Sequence, residues 1–170
     1  MKNLIAFLLV IVMIFSLCAC GSSSKSKSIP IEVDDVKTAL DGLGGELDIE
    51  TFDDTVSSFT FVINDFVYTS DDFDSDIEEC KTDMNDAFFA LISNGKTSQL
   101  PYKALTGSKA ILAFICIESI FDKETDDLNV LVEKSLRVIC DGDLSQHNGW
   151  TISAEIDEDN TSLIYSVVSK

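Results

Sequence analysis

The chain of 170 residues predicts an α+β domain: an antiparallel sheet of about four strands covered on one side by helices, in the order α-β-β-α-α-α-β-β. Three observations carry this. Trp150, Ile152, Ala154 and Ile156 alternate with polar residues, DEDN follows, and Leu163, Tyr165 and Val167 resume the alternation, the pattern of a hairpin. Three stretches place apolar residues at helical spacing. Strands and helices do not alternate singly, so nothing requires parallel strands.

In order, Pro30 can open a first helix whose stripe is Val33, Val36, Leu40 and Leu43, stopped by Gly42, Gly44 and Gly45. GELDIETF alternates Leu47 and Ile49 with acids and suits a short strand; Asp53-Asp54 makes a turn. In SSFTFVINDFVY, Phe59, Phe61 and Ile63 share one strand face. Ser75-Asp76-Ile77-Glu78 has the form of a capping box for a helix with Ile77, Cys80, Met84, Phe88 and Leu91 inward, ending at Asn94-Gly95. KTSQLPYKALTG reads as a loop. AILAFICIESIF (residues 110–121) is apolar throughout and fits a buried helix or a buried strand; its length, its two alanines and Ser108 before it favour helix. Thr125 and Asp126 cap a helix with Leu128, Leu131, Val132, Leu136 and Ile139 inward, ended by Asp141-Gly142.

The first segment has a different character. Lys2 precedes an apolar run from Leu4 to Leu17, broken only by Ser16 and about 21 Å long as a helix. That suits the core of an export signal, whereas a membrane span needs about 20 apolar residues. Leu17-Cys18-Ala19-Cys20 resembles the lipobox of bacterial lipoprotein precursors: an aliphatic residue, a tolerant position, a small residue, then cysteine. Cys18 is an unusual occupant of the tolerant position. The resemblance covers the first 21 residues and implies cleavage between Ala19 and Cys20, with a diacylglyceryl group on the Cys20 thiol. Two acyl chains suffice for stable anchoring where one is marginal. Residues 1–19 are then a signal peptide, 20–29 a flexible Ser/Lys tether and 30–170 a single acidic domain. The Ser/Lys tether and single Arg137 suit a Gram-positive cell, with the domain on the outer face of its membrane.

From Glu32 onward nine basic residues face 30 acidic ones, a net charge of −21. Such a surface repels phosphate backbones and excludes a nucleic-acid role. Cys80, Cys116 and Cys140 remain beside the lipidated Cys20; three is odd, so they are plain core thiols or one disulfide with a spare. No metal site is expected, because the cysteines are far apart in sequence and His147 is the sole histidine.

Asp71, Asp72, Asp74, Asp76, Glu78 and Glu79 superficially resemble a calcium loop. Counted from Asp72, however, Ile77 and Asp83 stand where an EF-hand needs Gly and Glu. Acids at a helix start explain them better, as they do Asp34-Asp35 and Asp126-Asp127. The candidate ligand loop is CDGDLSQHNGW: Asp141, Asp143, Ser145 and His147, with Trp150 and Tyr165 as an aromatic surface. No nucleophile motif accompanies His147, and no phosphate-binding glycine loop is present, so no catalytic residue is assigned. The expectation is a membrane-anchored extracytoplasmic lipoprotein, non-catalytic, with no cofactor beyond the Cys20 lipid. It would bind a protein partner or envelope component. A small-ligand or cation-binding lipoprotein is the alternative, and a hydrolase using the His147 loop the third reading.

Overall fold

The computed structural model describes residues 29–94, 101–121, 127–157 and 161–170. Among these, four helices and one antiparallel sheet of five strands form an α+β fold. Strands β1 (Glu46–Phe52), β2 (Thr55–Asn64), β3 (Ser145–His147), β4 (Trp150–Ile156) and β5 (Ser162–Ser169) lie side by side in the order β1-β2-β5-β4-β3. The expected count of four strands is corrected to five, because the polar loop before Trp150 contains β3.

Register follows from the alternation. Phe61 sits opposite Leu47 on one side and Tyr165 on the other, and Ile152 faces Val167. Successive side chains leave a strand on opposite faces, so one inner face collects Phe59, Phe61, Ile63, Ile152, Leu163, Tyr165 and Val167, all buried. The outer face carries Asp48, Thr60, Ser166 and Ser153 in one row across the sheet. Asp53 and Asp54 close the β1–β2 hairpin with φ of 49° and 63°. A two-residue turn that matches strand twist needs both positions left-handed, and aspartate tolerates this better than most residues.

Helix α1 (Val33–Leu40) buries Val36 and Leu40 as its stripe requires, with Asp34 and Asp35 in its first turn. Helix α2 (Ser70–Asn94) begins earlier than expected. Thr69 and Asp72 cap it reciprocally: the Thr69 amide donates to Asp72 Oδ2 at 2.8 Å and the Asp72 amide to Thr69 Oγ1 at 3.2 Å. A kink at Asp76 (φ −155°, ψ 69°) divides it, and there Asp76, not Ser75, caps the second segment by accepting from the Glu79 amide at 3.2 Å. Ser75 instead donates to the Asp72 carbonyl. Beyond the kink Cys80, Met84, Phe88 and Leu91 are buried, as the stripe predicts.

The ambiguous stretch is helix. Helix α3 (Tyr102–Phe121) takes in the second half of the expected loop, since Pro101 costs no hydrogen bond at a helix start; residues 96–100 of that loop, and Gly95 before it, lie outside the described residues. It is long and apolar enough to cross a membrane, yet most of it is buried inside the fold. Tyr165 Oη donates to the Ala110 carbonyl at 2.8 Å, tying α3 to the inner face of the sheet. On another side Gly107 lets α2 approach: a Cβ there would lie 2.5 Å from Met84 Cγ. Helix α4 (Leu128–Cys140) is capped by Asp127, which accepts from the Asn129 amide at 2.9 Å; the expected caps Thr125 and Asp126 lie outside the described residues. Its stripe of Leu131, Val132, Leu136 and Ile139 is buried, with Leu128 half-buried.

Candidate functional site

The most concentrated polar chemistry centres on Glu118, the single acid in AILAFICIESIF. Helix α3 is apolar on nearly every side, so its carboxylate has little water, with the side chain 4% exposed. An unpaired charge in that position would be prohibitively costly. Three donors from two other elements meet it. Lys134 Nζ on α4 reaches Oε2 at 2.8 Å, Ser145 Oγ on β3 reaches Oε1 at 2.6 Å, and His147 Nε2 on β3 reaches Oε2 at 2.6 Å. Ser145 and His147 are two apart on a strand and therefore share its inner face. Phe121, one turn beyond Glu118, stacks on the His147 ring with centroids 5.5 Å apart and an interplanar angle of 13°.

An ionised carboxylate only accepts, so the contact assigns a proton to His147 Nε2. Burial pushes the Glu118 carboxyl up, but the hydrogen bonds from His147, Lys134 and Ser145 together outweigh it and hold the group below its ordinary value. The arrangement is a hub. A serine–histidine–acid relay needs the serine on one ring nitrogen and the acid on the other. Here Ser145 Oγ (3.2 Å) and Glu118 both meet Nε2, and the serine hydroxyl is already donated to the carboxylate. Lys134 supplies the cation that balances Glu118, and among the described residues no three His, Cys, Asp or Glu side chains cluster as metal ligands.

The residues of the expected ligand loop are dispersed. Asp141 pairs with Lys81 of α2 at 2.7 Å, and Asp143 is exposed one turn past the end of α4. Trp150 is 2% exposed, packed 5.6 Å from Phe121, with Nε1 donating to the Ile29 carbonyl at 3.4 Å. Tyr165 is fully buried, so the two aromatics offer no surface to a ligand. Of the loop residues Ser145 and His147 enter the cluster, and Asp141, Asp143 and Trp150 do not. Glu118 and Lys134 were not anticipated; the signal that could have found them is the lone acid in an apolar helix, which must have a partner.

The other candidates have structural employment. Asp72 pairs with Lys103 at 2.7 Å, and this bond with the Thr69 amide holds its carboxyl below the usual range. Cys80 and Cys116 are buried and Cys140 half-buried, all three free. Burial pushes the Cys116 and Cys140 thiols up to about 12, so both stay protonated and weakly nucleophilic at neutral pH. Compared with protein-family models, with curated proteins and with solved structures, the chain matches none of them.

Proposed function

We propose that this chain is an exported lipoprotein, anchored through Cys20 to the outer face of the cell membrane, whose acidic domain binds a protein partner or envelope component without chemistry of its own. The carrying observation is Leu17-Cys18-Ala19-Cys20 directly after a signal-length apolar run and before a Ser/Lys tether. A net charge of −21 from Glu32 onward supports the rest. Such a domain is held off an anionic membrane and speeds encounter with a cationic partner through long-range attraction. The Glu118 hub favours a packing role over a reactive one, because both Glu118 oxygens, the Ser145 hydroxyl and His147 Nε2 are spent on one another or on Lys134.

The test is labelling cells with a radioactive fatty acid. The wild-type chain is expected to incorporate label and Cys20→Ser to incorporate none; an unlabelled wild type would overturn the anchor. The alternative, a cation-binding lipoprotein, has weaker support, since Asp72 and Asp76 are committed to helix starts. Millimolar calcium is accordingly expected to leave the thermal midpoint unchanged.

A further inference from the structure

We propose that β1 is the docking edge for an extended cationic segment of the partner, which adds to the sheet as a sixth strand. The inference rests on the reading that the domain binds a protein, and it names the chemistry of what is bound. The sheet has two edges. β3 at one end has only three residues, whereas β1 at the other has seven. Among the described residues β1 pairs with β2 on one side alone, so on the other side alternate amides and carbonyls face outward.

The side chains of β1 specify what that edge accepts. Glu46, Asp48 and Glu50 project from the outer face and are exposed. Glu46 and Glu50 accept only neutral donors, from Asn64 and Ser58, each at 2.7 Å, and no cation pairs with the three acids among the described residues. On the inner face Leu47 and Ile49 are only half-buried, because α1 is eight residues long and leaves the end of the sheet open. With Val33, Lys37 and Thr51 they line an open groove of about 280 Å³. An added strand sends alternate side chains to opposite faces, so one set enters the groove and the other lies beside the acids. Apolar residues suit the first set and lysine or arginine the second.

The acids also decide against the obvious competitor. A second copy pairing edge to edge would bring like charges opposite one another, which destabilises a sheet. The row therefore opposes edge-to-edge pairing of two copies while attracting a cationic strand. A register shift between Glu50 and Thr51 interrupts regular pairing, so the usable edge is Glu46–Glu50.

The probe is a fluorescein-labelled heptapeptide of alternating lysine and valine, added to the full lipidated protein in a neutral detergent, with anisotropy as readout. Saturable binding is expected, falling about tenfold or more for the combined Glu46→Lys, Asp48→Lys, Glu50→Lys variant. A similar fall is expected for a peptide N-methylated at alternate residues, which removes ladder donors and keeps the charge. An unchanged circular-dichroism melt for the variant excludes misfolding as the cause. No saturation up to about 1 mM peptide overturns the proposal. So does equal binding of the methylated peptide, which would mean general charge attraction. The acylation experiment is independent, so a lipidated protein that ignores the peptide sinks this edge and leaves the anchor standing.

Discussion

The two ends of the sheet handle carboxylates in opposite ways. Beside β3, Glu118 has lost its water and receives three protein donors in return. At β1, Glu46, Asp48 and Glu50 keep their water and have little protein around them. The formal charges are alike, but the energetics are not. A buried carboxylate is strongly destabilising once a partner is removed, whereas exposed charges contribute about 0–1 kcal/mol. Net charge thus describes how the molecule meets others, while one acid among thirty helps determine how it holds together.

The sharpest way to break this contrast is Glu118→Ala. It strands Lys134 and His147 beside a cavity and is expected to cost about 3–5 kcal/mol in denaturant unfolding. A cost below about 1 kcal/mol would put Glu118 in the same class as the β1 acids. Lys134→Met, which removes the cation and keeps most of the stem, is expected to cost less, about 2 kcal/mol, because Ser145 and His147 remain on the carboxylate.

The pH dependence has a definite sign. The Glu118 carboxyl lies below its ordinary value of 4.5 when folded, so its ionised form favours the native state. Its contribution is fully present above that value and lost as pH falls through the folded one. Hydrogen bonds also hold Asp72, Asp127 and Asp157 below their ordinary values, and they contribute in the same direction. The readout is therefore a difference: between neutral and acid pH, wild type should lose its stability advantage over Glu118→Gln. Parallel curves for the two proteins would refute the assignment. The smallest effect belongs to Asp48→Asn, expected within about 0.5 kcal/mol of wild type in the same unfolding experiment.

Legibility divides along the same line. The β4–β5 hairpin could be read because its two faces meet different surroundings and the period of two survives in the sequence. The apolar stretch of helix α3 could be read only from its length, its two alanines and Ser108 before it, because burial on most sides erases the polar stripe that marks a helix. β3 left no mark, since its inward residues are Ser145 and His147, which satisfy a carboxylate instead of filling an apolar core. His147 was recognisable as a candidate from its polar loop, where the nearby acids along the chain are Asp141 and Asp143. The acid it meets lies on another element, a relation only the tertiary fold creates. Trp150 was misread as a surface residue although strand alternation sets it on the same face as buried Ile152.

The strand order has a consequence for the time course of folding. β2 at the centre of one half of the sheet pairs with β5, so Phe61 waits for Tyr165 across roughly 100 residues of chain. As the polypeptide is made, β1 and β2 can form only a two-stranded hairpin, which is marginal in water by itself. The phenylalanines of β2 remain open until Ser162–Ser169 arrives and locks between β2 and β4. Pairing over such separations slows the search for the native state and prolongs exposure of apolar surface, so this small domain is expected to depend on late completion in a way its size alone would not suggest.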